Sequence, residues 1–233
     1  MGLQVSTFET DQVLPGGFRM PTRMTALPLE GGGLALISPV PVTDTIAARV
    51  AELGPVRFLV APNLLHYLYL ADAAARWPSA RVLAPRALAT KRPDLRIDAF
   101  LEDGAPPELA ASVRVVKIAG APIVDEHVFL HEPSRTLVLT DLVFHVTTPR
   151  GFVANVLLWL VGCHGKLAQS RAWRFFVKDR AAAAASVKEL LSWRLDSLVV
   201  AHGAPIERDA QSRLAGALAW MAQDAPPAPP RLR

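Results

Sequence analysis

Arg57-Phe58-Leu59-Val60-Ala61-Pro62-Asn63-Leu64-Leu65-His66 runs from a short apolar block through a proline break to a histidine. The block reads as a strand, and Pro62 and Asn63 end it. Residues 65–77 then read as a helix, 79–84 as a second strand and 85–91 as a short helix. Strand, helix, strand, helix is the order of an α/β protein, and His66 falls just past a strand end, where such folds gather their sites.

Upstream, residues 1–40 carry alternating runs (Leu3 to Phe8, Arg23 to Leu29, Leu34 to Ser38) broken by Gly16-Gly17 and Gly31-Gly32-Gly33. These predict antiparallel strands joined by tight turns. From Thr43 the period becomes helical, with Ile46, Val50 and Leu53 on one face and Gly54-Pro55 as the stop. Downstream, strands are predicted at 113–118, 127–131 and 136–139, then helices, a last apolar strand at 198–201 and a closing helix at 208–221. Residues 1–222 read as one domain and the Pro-rich 223–233 as a disordered tail. Two successive sheet-plus-helix blocks are compatible with a four-layered αββα sandwich.

The 233 residues are 51% apolar and 20% charged, which excludes a disordered or collagen-like chain. A single cysteine, Cys163, excludes an internal disulfide and a Cys-rich zinc module, and points to a reducing compartment. The N-terminal residues lack a basic start and an apolar core, so a cytoplasmic address is expected. The longest apolar run, 152–161, is interrupted by Asn155 and falls short of the roughly 20 residues that span a bilayer. With 25 Lys and Arg against 21 Asp and Glu, the surplus is modest and no nucleic-acid partner is expected.

Three polar residues follow apolar strands: His66, Asp141 after Leu137-Val138-Leu139-Thr140, and His202 after Leu198-Val199-Val200-Ala201. Two imidazoles and a carboxylate suit Zn²⁺ with an open water position, or non-haem Fe²⁺. The same trio would equally serve as loop partners or helix caps.

Taken together, these segments resemble the metallo-β-lactamase superfamily, and within it a branch known only as a domain of unknown function. The similarity covers most of residues 5–220. It implies an αββα sandwich with a helical insert at about 151–180. In the family a strand enters a His-x-His-x-Asp-His loop; Ala61 to His66 occupies that place. The next ligand histidine would fall in Ala119-Gly120-Ala121-Pro122, the bridging aspartate matches Asp141 in Leu139-Thr140-Asp141-Leu142, and the final histidine matches His202 in Val200-Ala201-His202-Gly203.

The departures define what remains. Ala61, Asn63 and Ala121 replace the three histidines of one metal position, and Leu65 replaces the loop aspartate. The resemblance therefore implies a single divalent ion, Zn or Fe, on His66, Asp141 and His202, with Asp141 as the catalytic carboxylate. It implies a metal-dependent hydrolase-like protein acting on a small-molecule substrate through metal-bound water. The alternative is an inactive descendant that binds a ligand, a partner or a membrane surface.

Auxiliary roles are expected for Asn63, as a weak oxygen donor, and for His145, four residues past Asp141. His127 and His131, beside Asp125 and Glu126, read either as supporting groups or as the exposed face of an edge strand. In the insert, residues 152–161 are apolar and a basic segment follows with Lys166, Arg171, Arg174, Lys178 and Arg180. This pattern fits a core helix with a solvated basic neighbour, the wall of a pocket, or peripheral membrane contact. Trp159, Trp173, Phe175 and Phe176 read as packing residues, and a basic neighbourhood would favour the thiolate of Cys163.

Overall fold

A computed structural model describes residues 4–14, 18–149 and 151–223. The run that opens at Arg57 lies within a six-stranded sheet built of β1 (Ser6–Leu14), β2 (Phe18–Pro28), β3 (Leu34–Ile37), β4 (Val56–Val60), β5 (Arg81–Ala84) and β6 (Ala99–Phe100), in that spatial order. β1, β2 and β3 pair antiparallel, as their turn signals predict, and β3 to β6 pair parallel. The parallel crossovers carry α1 (Asp44–Leu53), α2 (Leu70–Arg76) and α3 (Arg86–Lys91).

A second sheet, in the order β10-β9-β8-β7, contains β7 (Val113–Lys117), β8 (His127–His131), β9 (Thr136–Leu139) and β10 (Ser197–Val200). The short α4 (Pro107–Ala110) leads into it. Between β9 and β10 come α5 (Phe152–Leu160), α6 (Trp173–Phe176) and α7 (Arg180–Ser192), and α8 (Ala210–Ala222) closes the described chain.

Strand alternation sets the layers. Ala35, Ile37, Phe58, Val60 and Leu83 point from the first sheet onto Val113, Phe129, Val138 and Val199 of the second. Their neighbours Leu34, Leu36, Leu59, Val82 and Ala84 turn the other way, onto Val50, Ala73 and Leu88 of α1 to α3. On the far side, Leu137, Leu139, Leu198 and Val200 pack on Val187 and Leu190 of α7 and on Leu214 and Leu218 of α8. The result is helix, sheet, sheet, helix, with three apolar seams.

Several local expectations are corrected. The helix predicted over 65–77 begins at Leu70, because the Asn63 side chain takes the backbone N–H groups of Leu65 and His66 and holds this stretch in turns. α1 starts at the Thr43 cap and stops at Gly54 as expected, yet Leu53 is exposed while Ala47 and Val50 carry the contact. β8 is an interior strand, so His127 and His131 are buried and form no exposed edge. The expected core helix at 152–161 exposes most of its side chains, and Trp159 and Phe175 face solvent while Trp173 is buried. Cys163 is fully buried, and desolvation pushes its thiol up to about 11, which disfavours the thiolate. The Gly16-Gly17 turn and the tail from 224 onward lie outside the described residues. Among the described residues no helix is long and apolar enough to cross a membrane.

One topological consequence matters for chemistry. β3 and β4 are parallel to each other, as are β9 and β10, so the polar residues that follow these strands collect where the strands end. β8 runs antiparallel to β9 and therefore starts at the same edge, bringing Glu126 beside Thr140.

Candidate metal centre

His66, Asp141 and His202 come together at that edge. The Nε2 atoms of His66 and His202 are 3.0 Å apart, His66 Nε2 lies 3.3 Å from Asp141 Oδ2, and His202 Nε2 lies 3.5 Å from Asp141 Oδ1. Among the described residues, no other three His, Cys, Asp or Glu side chains converge in this way.

Each member is aimed by a neighbour. His202 Nδ1 lies 2.8 Å from the carbonyl oxygen of Pro21, which can only accept, so Nδ1 holds the proton and Nε2 offers a lone pair to the centre. The His202 ring also stacks on Phe144, with planes 7° apart. His66 Nδ1 is 2.7 Å from Ser38 Oγ, at the end of β3. Trp173 donates its indole N–H to the Asp141 carbonyl at 2.7 Å, fixing the backbone that carries the carboxylate. From β2, the buried Arg23 pairs with Glu9 and donates to the carbonyls of Val200 and Gly203, clamping the His202 turn. Burial lowers the Arg23 pKa to about 10.

Glu126 is the hub beneath this set and is fully buried. It accepts from the Thr140 and Asp141 backbone N–H groups, from Thr140 Oγ1 and, at 2.6 Å, from Asn63 Nδ2. Asn63 Nδ2 also reaches Asp141 Oδ2 at 2.7 Å, while its oxygen binds Leu65 N and His66 N. Asn63 thus spends its donors on the two carboxylates and its acceptor on the His66 turn, and serves as scaffold for the trio. His145 faces away from the centre: Nδ1 meets the Ala204 carbonyl at 2.7 Å, and Nε2 accepts from Arg213 at 2.9 Å. His131 is likewise engaged, with Pro28 and Ser134.

The electrostatics follow from crowding charge in a dry site. Burial alone would raise the Asp141 pKa, but the adjacent His66 and His202 outweigh it and hold the carboxyl far below its usual range. Burial alone would depress His66; the negative charges of Asp141 and Glu126 win and raise it. Desolvation and then the charge of Asp141 push Glu126 up to about 6, against the donors from Asn63 and Thr140.

Sequence reading names the trio, and it names Glu126 only as a neighbour of the candidate supporting pair His127 and His131, without its central place beneath the trio. Glu126 stands out only as one acid in Asp125-Glu126-His127, and nothing local shows that β8 starts under the ends of β4 and β9. Ser38, Arg23 and Trp173 act through long-range contacts and carry no motif.

Above the trio lies a cavity of about 420 Å³ with a mostly apolar wall, including Met20, Leu64, Leu65, Leu68 and Phe144, and one cation, Lys91. A larger cleft of about 550 Å³ opens elsewhere, at the insert.

Gly203, next to His202, has φ +108, and a Cβ there would sit 2.0 Å from the His145 carbonyl oxygen. Gly203→Ala is expected to cost more than about 2 kcal/mol in urea unfolding, because backbone must move to admit the methyl. Gly104→Ala, with φ +93, ψ 153 and open space around it, reports the backbone penalty alone and is expected to cost about 1–3 kcal/mol, less than Gly203→Ala. Equal costs at both positions would show that the His202 turn is not tightly packed.

No protein-family model matches the chain, and neither does any curated protein. Solved structures do. A metallo-β-lactamase from Pontibacter korlensis superposes with a TM-score of 0.63 over 95% of this chain and 96% of its own, at 13% identity. One from Erythrobacter litoralis gives 0.61 over 93% and 92%, at 15% identity. One from Pseudomonas aeruginosa, in a mono-zinc form, gives 0.55 over 94% and 92%, at 13% identity. With the layer order, the strand directions and the meeting of His66, Asp141 and His202 at one sheet edge, the chain has the metallo-β-lactamase fold.

Proposed function

We propose that this protein is a mononuclear metal-dependent hydrolase, with His66, Asp141 and His202 holding one divalent ion, Zn²⁺ or Fe²⁺. The observation that carries the reading is the convergence of one donor atom from each of the three side chains, all within 4.8 Å of one another, with the two imidazole Nε2 atoms 3.0 Å apart. A tetrahedral ion with bonds of about 2.05 Å separates its ligands by roughly 3.3 Å. The two imidazole donors, 3.0 Å apart, stand near that spacing, and Asp141 presents Oδ2 at 3.3 Å from one and Oδ1 at 3.5 Å from the other, so the three side chains fit a single small ion. Lone pairs from two imidazoles meeting at 3.0 Å repel unless a proton or a cation lies between them, and the ionised Asp141 supplies the charge a cation needs.

When bound there, the ion would lower the pKa of a coordinated water towards neutrality and polarise a carbonyl or phosphoryl oxygen. The chain's own part is positional. Pro21 and Ser38 orient the two imidazoles, and Glu126 with Asn63 holds the Asp141 carboxylate. Asp141, kept ionised, would hold the ion together with the two imidazoles, and its carboxylate would accept a hydrogen bond from a water beside the trio. The apolar cavity wall takes the body of a small substrate bearing a carbonyl or phosphoryl group, and excludes bulk water. Asn63, Ala61 and Ala121 offer no second ion a site, since Asn63 is saturated by its neighbours and the two alanines have no donor atoms.

Those same replacements support a second reading, an inactive descendant that uses the cavity only for binding. Elemental analysis of protein purified without affinity tag or chelator separates the two. Roughly one equivalent of Zn or Fe, with chelator-sensitive cleavage across a panel of aryl esters and phosphoesters, is the expected result. Protein that stays metal-free after reconstitution would refute the hydrolase reading.

A further inference from the structure

α5 is a nine-residue helix, Phe-Val-Ala-Asn-Val-Leu-Leu-Trp-Leu, without a charge. A helix apolar on all sides belongs in a core. Here Ala154 and Leu158 are buried, but Val153, Val156, Leu157 and Leu160, spaced i, i+3, i+4 and i+7, face solvent, and Trp159 is 70% exposed. Phe175 on α6 adds a side chain 75% exposed. Apolar exposure concentrated on one stripe marks a contact surface.

The surroundings are basic. The chain leaves α5 at Gly162 directly into the 550 Å³ cleft, whose charged lining is Lys166, Arg171, Arg174 and Arg213, with no acidic residue. Arg171 donates to the Leu160 carbonyl at 3.2 Å, so a cation sits at the end of the apolar helix. Among the described residues no carboxylate pairs with Lys166, Arg171 or Arg174. An apolar stripe with tryptophan beside cations that have no carboxylate partner is the chemistry of an interfacial helix on anionic lipid.

We propose that α5 and the adjoining cleft form a docking face for a bilayer rich in anionic lipid. The stripe of Val153, Val156, Leu157 and Leu160, with Trp159, enters the headgroup layer, and Lys166, Arg171 and Arg174 meet lipid phosphates. A second copy of this chain fits less well, because a two-fold contact through the face would set these cations against their own images. Docking also bears on the cavity over His66 and His202: Met20 and Phe144 pack in the small cluster with Leu158 of α5 and also line that cavity. The face and the cavity thus share a wall, and docking brings an amphiphile's apolar part next to it. The proposal does not depend on a metal.

Flotation with vesicles tests it. The protein is expected to float with vesicles of phosphatidylcholine containing about 30% phosphatidylserine, and weakly or not at all with phosphatidylcholine alone. Raising salt from about 0.1 M to about 0.5 M should reduce binding several-fold. Val156→Asp with Leu160→Asp, both on the exposed stripe, should lower binding by at least about a hundredfold without lowering the melting temperature. Lys166→Gln with Arg174→Gln should lower it roughly 25-fold, about fivefold per cation. Brominated lipid should quench the wild-type fluorescence, and Trp159→Phe should remove most of that quenching. Absence of flotation, equal flotation of the variants, or quenching unaffected by Trp159→Phe would overturn the proposal. So would a dimer that is lost in the double aspartate variant, which would assign the face to a second copy.

Discussion

His202→Ala is expected to lose bound metal, with affinity falling by more than about a hundredfold, while the chain still folds. The variant removes one of the three converging donors and leaves His66 and Asp141, which at 3.3 Å still pair with each other but would give a two-ligand set. The cost to the metal-free fold is expected to be about 1–2 kcal/mol, from the lost bond to Pro21 and the lost stacking on Phe144. Titration against a chromophoric chelator reads the first quantity and urea unfolding the second. His145→Ala supplies the contrast. It should leave metal affinity unchanged while destabilising the fold, because it strips Ala204 and Arg213 of a buried partner. If His202→Ala bound metal as tightly as the native chain, the ligand assignment would be wrong.

Glu126→Gln tests the hub. The substitution keeps shape but puts an amide N–H₂ among donors: Thr140 N, Thr140 Oγ1, Asp141 N and Asn63 Nδ2 all point at this side chain. At least one donor loses its acceptor, and the expected loss is about 2–4 kcal/mol at neutral pH. Metal affinity should fall as well, since Asn63 and Asp141 are held through this residue. The pH profile gives a sign that mere destabilisation would not. The native carboxyl, at about 6 against an ordinary 4.5, holds a proton in the folded state that it releases on unfolding. Its contribution is therefore fully present below pH 4.5 and is lost as pH rises through 6, a change of about 2 kcal/mol. Glutamine has no such dependence. The stability gap between native chain and variant should accordingly narrow as pH rises across that window; a gap that widened would show that Glu126 is ionised throughout.

Most of the architecture is legible in the sequence because it rests on local periodicity. Phe58-Leu59-Val60, Val128-Phe129-Leu130 and Leu198-Val199-Val200 give strands, and Thr43 and Gly54 bound α1 by capping and turn chemistry that act within a few residues. His66, Asp141 and His202 are legible for a related reason: each follows such a strand. What fails is whatever depends on a distant partner. The late start of α2 comes from Asn63, whose role is set by Glu126 and Asp141 in the other sheet. The burial of His131 comes from the Pro28 carbonyl. The misread α5 has the composition of a core helix, and composition does not say whether protein covers both sides.

The three side chains proposed as ligands hang from different sheets: His66 follows β4 in the first, Asp141 and His202 follow β9 and β10 in the second. An ion held by them would work as a rivet through the two halves of the sandwich. A glide of one sheet over the other by even about 1 Å would spread the three side chains apart, so metal affinity would gauge how well the halves are registered. His202 also arrives last from the ribosome, 136 residues after His66. The rivet can therefore be set only once both halves exist and have met, and bound metal would selectively slow the unfolding of correctly docked molecules.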